Sequence, residues 1–580
     1  MSPTIIVEKE GLLPSTIAYQ SKPEAISSLR RIVVISLGFA CSLTALSFWR
    51  GNLEVTDIWS PTEPVDLAER CPQPLPLEPT KNGELWRDVV DSYGSTEFLN
   101  RAVEWLGGAV RVKTESYDRM EPVGTDPRWE AFGPFHDYLL SSFPNVHTTL
   151  ALTKVNTYGL VYEWTGSDTS QKPILLAAHQ DVVPVNPDTL SEWEHPPYSG
   201  YFMVGSIHTL RHLLLINELF YYQGKYIWGR GVTDDKSGLI GILSSIETLI
   251  ENGFKPTRTV VLTFGFDEEA SGLFGASQLA KYLEDTYGQN AFAFLVDEGG
   301  DYMDEYGQTF ATPGIAEKGY LDVRVEVESP GGHSSVPPPH TTIGILSSLL
   351  VHFEKNPYTP VLGRGTPMYQ KAQCLAAHAP DLPKSLRRAL FDAKKFNKAL
   401  RDAEKVLFKD RFFKSLVQTT QAIDLIQGGV KTNALPESAW AVVNHRIATD
   451  SSLDEVQEHD TNLLLDAAKK FNLTYVAFGK AITDPEAKSY GKLTLSDAWG
   501  AGLRPAPITP TGTGPDAVPF QLLAGTIKAT HKVHRGLAGD GVVVSPGIMS
   551  GNTVIEADAF IEIIKFFTTL ILNADESTTL

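Results

Sequence analysis

Cysteine is scarce in this chain: three in 580 residues, with no C-x-x-C pair. A thiolate cage is therefore excluded, and any metal must be held by His and carboxylates. Cys41 lies in an apolar N-terminal stretch, so Cys71 and Cys374 allow at most one disulfide in the body. Positive charge is also short, with 50 Lys and Arg against 69 Asp and Glu and a net charge of −19. Such a surface repels phosphate backbones, which argues against a nucleic-acid partner. The chain has no internal repeat and no low-complexity tract. Its length exceeds what one hydrophobic core usually serves, so two or more domains are expected.

Residues 32–49 (IVVISLGFACSLTALSFW) carry no charge. A run of ~18 such residues is about the minimum that crosses a bilayer. Arg30 and Arg31 precede it, whereas Glu54, Asp57 and Glu63 follow beyond Arg50. The excess of positive charge on the N-terminal side predicts a cytosolic tail over 1–31, a transmembrane helix over 32–49 and a lumenal body. Residues 50–80, rich in Pro and acid, read as a stalk. The sequon Asn472-Leu473-Thr474 is compatible with that topology.

In the body, ILLAAH (174–179), TVVLTFGF (259–266) and AFAFLV (291–296) read as short strands. They alternate with helical periodicity over 239–251 and 277–287, which predicts an α/β domain with a mostly parallel sheet over 81–316. From residue 317 the pattern changes. YLDVRVEVES (320–329) alternates as a half-exposed strand, 384–407 is helical, 438–447 is a strand and 453–471 a helix. This predicts an inserted α+β lid over 317–482, with 483–580 returning to the first domain.

Four acidic or His groups follow the apolar strands or open a helix. His179-Gln180-Asp181 ends the first strand. Residues i and i+2 of a strand share a face, so Asp181 can fix the His179 tautomer and leave its other nitrogen for a metal. Asp234 and Asp235 follow a glycine-rich turn at a helix start, where the bland alternative is a favourable helix dipole. Asp267-Glu268-Glu269 and Asp297-Glu298 end two further strands, and solvation alone is the bland explanation for each. Their joint placement at one sheet edge favours a ligand site, and His with several carboxylates suits zinc, manganese or cobalt.

The ordered set LLAAHQDVVPV, YIWGRGVTDDKSG, FGFDEEASGLFGA, LVDEGG, SPGGHSS and KTNALPE resembles the M20 metallopeptidase family, in its fungal carboxypeptidase S (Gly-X carboxypeptidase) branch. The resemblance covers about residue 90 to the C-terminus and implies a zinc-exopeptidase fold with two zinc ions. By it, His179 binds zinc and Asp181 orients that His. Asp234 bridges the metals, Glu268 is the general base, and Glu269 and Asp297 complete the metal shells. In the lid, His333 polarises the scissile carbonyl, while Asn433 and Arg446 contact the substrate. Arg446 pairs with the terminal carboxylate, a match a guanidinium fork makes well; a surface ion pair is its bland alternative. Lid strands can pair across subunits in relatives, so a homodimer through the lid is an expectation. The vacuole is the compartment the resemblance implies.

Two places depart from the branch's pattern. Residues 203–223 interrupt it, as an extra helix or an unremoved intron. After SPGIMSGNT (545–553) the pattern demands an Asp and then a metal-binding His, yet the last His of the chain is His534. One zinc site would then lack its nitrogen ligand. His531 and His534, at i and i+3, are weak substitutes. The leading expectation is a metallo-carboxypeptidase acting on peptides or N-acyl amino acids. Its rivals are a non-catalytic chain and an aminopeptidase that selects the free amine.

Overall fold

The computed structural model describes residues 70–202, 226–537, 541–548 and 554–580. The transmembrane segment expected at 32–49 and the departure at 203–223 lie outside these residues. Among the described residues no helix is long and apolar enough to cross a membrane.

The first domain is built on a five-stranded sheet of β1 (Ala151–Val155), β2 (Gly159–Trp164), β3 (Ile174–His179), β5 (Val260–Gly265) and β6 (Leu295–Val296), in the order β1-β2-β5-β3-β6. β3 runs parallel to both β5 and β6, but β2 is antiparallel to β1 and to β5. The sheet is thus mixed rather than mostly parallel as the sequence predicted. The cause is local: Asn156 and Thr157 both take positive φ, which closes β1 and β2 into a tight hairpin. β3 is buried on both faces. Ile174 and Leu176 join the core under helix α1 (Lys236–Glu251), and Leu175 joins the core under α2 (Ala276–Tyr287). Each such side chain contributes about 1.5–3 kcal/mol by leaving water. β4 (Tyr226–Trp228) precedes α1; β7 (Tyr302–Glu305) and β8 (Gln308–Ala311) form a hairpin after β6.

The lid holds a six-stranded sheet. β9 (Gly319–Glu328) alternates buried and half-buried positions, as its sequence predicted. β10 (Gly332–His333) and helix α3 (Thr342–Lys355) follow. Next come four helices: α4 (Pro367–His378), α5 (Lys384–Ala393), α6 (Asn397–Leu407) and α7 (Arg411–Val417). Then β11 (Thr420–Gly428), β12 (Ala434–Leu435), β13 (Ser438–Ile447), helix α8 (Leu453–Lys470), β14 (Leu473–Ala477), β15 (Lys480–Ala481) and β16 (Gly491–Asp497) complete the insertion. The sheet order is β11-β13-β9-β16-β14-β15. Leu321, Val323, Val325 and Val327 of β9 pack with α3 and α8. β16 pairs with β9, so the chain leaves the lid beyond Asp497, later than the 482/483 boundary read from the sequence.

The four helices α4–α7 do not join that core. They pack with Cys71, Phe310 of β8, and Val543 of β17 (Val542–Val544). Cys71 and Cys374 form the one disulfide that the sequence allowed. The tail returns through α9 (Val518–Arg535), β17, which runs parallel to β8, and β18 (Val554–Glu556), which pairs with β4. α10 (Ala557–Glu576) then packs on α1. At that crossing a Cβ on Gly241 would lie 2.7 Å from Ile563 Cγ2, so only glycine permits the approach.

Candidate metal centre

The site lies at the carboxyl ends of β3, β5 and β6. His179 closes β3 opposite Gly265 of β5 and is buried. Asp181 follows with a fully buried carboxylate. Its Oδ1 lies 3.2 Å from His179 Nδ1, and Oδ2 accepts the Ser116 hydroxyl at 2.6 Å. The same carboxylate accepts the backbone N–H groups of Glu268 (3.1 Å) and Glu269 (3.0 Å). One side chain therefore fixes both the imidazole and the acidic turn. Burial alone would raise the Asp181 carboxyl, but the imidazole, Ser116 and the Glu269 N–H outweigh it and hold the group ionised.

The other face of the imidazole meets acids. His179 Nε2 is 2.9 Å from Asp234 Oδ1 and 3.4 Å from Glu298 Oε2. Gly231, at φ +76°, lets the preceding turn close: a Cβ there would lie 2.1 Å from Val182 Cγ1. Of the acid pair, Asp234 faces His179, whereas Asp235 caps α1 by accepting the Gly238 N–H at 3.2 Å. The bland reading thus holds for one acid and the metal reading fits the other. The acidic triplet also divides. Asp267 turns inward and accepts the N–H groups of Phe274 and Ala276, while Glu268 and Glu269 face the site.

Two groups of ligand atoms result, each lying within 4.8 Å of one another: His179, Asp234 and Glu269, and His179, Glu268 and Glu298. Burial, with the Glu298, Glu269 and Asp181 charges and against the opposing His179, pushes Glu268 up to about 8. Burial and then Asp234 push Glu269 up to about 7. Carboxyls so disfavoured as anions are what a bound cation would relieve, and one imidazole with carboxylates is a donor set that suits a divalent metal.

The sequence-predicted residues distribute as follows. His179, Asp181, Asp234, Glu268 and Glu269 converge. Asp297 belongs to neither donor group, and its neighbour Glu298 presents the carboxylate instead. Arg446 stands on β13 opposite Tyr320 of β9, with its guanidinium 5.7 Å from the Tyr320 ring. Burial raises the Tyr320 phenol and Ser271, just past the Glu268–Ala270 turn, lowers it, so this end of the lid lies near the acidic turn. His333, on the β10–β12 ladder, and Asn433, just before β12, are exposed, and Ser334 N–H donates to Asn433 O at 3.2 Å. Among the described residues no contact joins them to His179.

The sequence reading missed Ser116, Glu298 and Glu317. Ser116 belongs to no motif. Glu298 was in view beside Asp297, but adjacency alone does not tell which acid turns inward. Burial and then the Glu298 and Asp297 charges raise the Glu317 carboxyl, while Arg446 lowers it, so Glu317 feels both the acids and that Arg. His531 and His534 are engaged elsewhere: His531 Nδ1 is 3.1 Å from Glu562 Oε1, and His534 Nε2 is 3.3 Å from Asp558 Oδ2.

Comparison with known proteins identifies relatives over most of the chain. The signature of peptidase family M20/M25/M40 matches residues 175–387, and that of the peptidase dimerisation domain matches residues 315–472. Carboxypeptidase S of Saccharomyces cerevisiae is 38% identical over 84% of this chain and 80% of its own. The N-fatty-acyl-amino acid synthase/hydrolase PM20D1 of Bos taurus is 30% identical over 78% of this chain and 76% of its own. Human carnosine dipeptidase 1 shares the fold, with a TM-score of 0.53 at 15% identity, covering 86% of this chain and all of that one (100%). The motifs, the clustered donors and these relatives together place the chain in peptidase family M20/M25/M40.

Proposed function

We propose that this protein is a zinc-dependent carboxypeptidase that cleaves C-terminal residues from peptides or hydrolyses N-acyl amino acids. The observation that carries the reading is the convergence of Asp234, Glu268, Glu269 and Glu298 on His179, with Asp181 behind it. Two relatives named for a carboxypeptidase and for N-fatty-acyl-amino acid chemistry point to amide substrates that bear a free carboxylate. Zinc ions bound there would lower the pKa of a water and stabilise the oxyanion. Asp181 orients His179 so that Nε2 faces the cation. Glu268 takes a proton from the attacking water at its carboxylate and passes it to the leaving amine. Arg446 pairs with the substrate carboxylate, His333 polarises the scissile carbonyl from the lid, and Asn433 contacts the substrate. The dimerisation-domain match supports a homodimer through the lid. Residues 32–49 would anchor the chain with its body in a lumen, the vacuole by resemblance.

A second reading rests on a specific observation: no His follows His534, and the described residues offer no second imidazole to either donor group. On that reading the chain binds one metal weakly and turns over nothing. Metal analysis of the purified protein, with assay of an N-acyl dipeptide, separates the two. About two zincs per chain with hydrolysis supports the enzyme. One or fewer with no hydrolysis supports the inactive chain.

A further inference from the structure

We propose that the outward face of α5–α7 docks on an anionic lipid surface. Residues 384–414 carry eleven basic residues against four acidic ones, in a chain of net charge −19. The four acids are spent locally. Asp392 and Asp402 pair with Arg388 and Lys405, Glu404 accepts the Leu362 N–H at 2.9 Å, and Asp410 caps α7. At the α5–α6 turn, Lys394, Lys395, Lys398 and Arg401 are exposed, and among the described residues no ion pair engages them.

A merely solvated basic face needs no aromatics, yet Phe396 stands 60% exposed among these cations, and Phe412 at the next turn is 46% exposed. Both helices already bury their inward leucines, Leu386, Leu390, Leu400 and Leu407, so the phenylalanines are not spare core residues. Cations at headgroup level with aromatic side chains at the acyl boundary are how an interfacial surface binds anionic lipid.

The path of the chain favours lipid over an acidic protein. Arg70, where the described chain begins, donates to Gln373 Oε1 at 2.7 Å and stacks 4.6 Å from the Phe391 ring. Cys71 is bonded to Cys374. The chain therefore joins the body on this same helical block. The uncharged run 32–49 ends about 20 residues upstream, a reach of at most ~70 Å.

The test is hydrogen exchange on the full-length protein in nanodiscs of phosphatidylcholine with or without phosphatidylserine. We expect residues 394–401 to exchange ~10-fold more slowly in the anionic discs. The protection should vanish in 0.5 M NaCl, where the Debye length falls to about 4 Å. A K394E/K395E/K398E variant should lose it while exchange in α9 and α10 stays unchanged. Equal exchange in both discs overturns the proposal. So does protection that ignores salt, or protection that appears only when polyglutamate is added to neutral discs, which would mark an acidic protein site.

Discussion

Ser116 donates its hydroxyl to the Asp181 carboxylate at 2.6 Å, on the oxygen that also accepts the Glu269 N–H. The carboxylate that steers His179 is thus itself held by a residue far from any motif. Changing Asp181 to Asn keeps the shape but removes the charge and some of the acceptors. We expect metal affinity to fall ~10–100-fold, read by chelator competition. Ser116→Ala should act in the same direction with a smaller loss, since it removes one hydrogen bond to the anion.

Glu298 and Asp297 can be told apart by paired substitutions. Glu298→Gln should weaken metal binding about 10-fold or more, because its carboxylate lies 3.4 Å from His179 Nε2. Asp297→Asn should have the lesser effect. Equal losses, measured by titration calorimetry, would mean that the metal draws both acids in.

Arg446→Ala tests substrate selection. The expected result is a rise in KM of about 10–100-fold for substrates with a free carboxylate, with little change for the corresponding amides. Unchanged kinetics on both would favour an enzyme that reads the substrate's amine instead.

His136 sets a pH dependence of stability. Burial, then the Lys154 charge, pushes its imidazole down to about 4, while Nε2 bonds Gln180 Oε1 at 2.9 Å. The folded state therefore holds it neutral where the unfolded chain takes up a proton. Stability is intact above the unfolded value near 6.5 and falls as pH drops toward 4, by about 3 kcal/mol in all. Urea melts at pH 7 and pH 4.5 should show the loss, and His136→Gln should flatten that part of the profile.

Cys374→Ala removes the bond that closes a loop of sequence separation 303. Stability should drop by about 2–4 kcal/mol, seen as a lower Tm, with the metal content unaltered.

Some of this was legible in the sequence because it rests on strict periods. The run ILLAAH reads as a short strand, and the two-residue step from His179 to Asp181 puts both side chains on one face. The alternation of β9 was equally plain. The rest depended on choices that local pattern does not make. A hairpin at Asn156–Thr157 reverses β2, and nothing in its apolar residues announces the direction. Glu298 and Asp297 differ only in which way a loop turns. β16 pairs with a strand more than 160 residues upstream of it, so its membership of the lid is a tertiary fact.

The helices α4–α7 lie within the lid's stretch of sequence but pack on the body through Cys71, β8 and β17. The polypeptide must therefore pass between the two parts four times, before β9, after α3, before β11 and beyond β16. One of these passages is clamped where Lys318 Nζ donates to the carbonyls of Ser415 and Gln418 at 3.0 and 2.8 Å. A part suspended on four cords cannot swing freely as one on two does. Its travel is confined to a rotation that all four tolerate, and stiffening any single cord should restrain the whole motion.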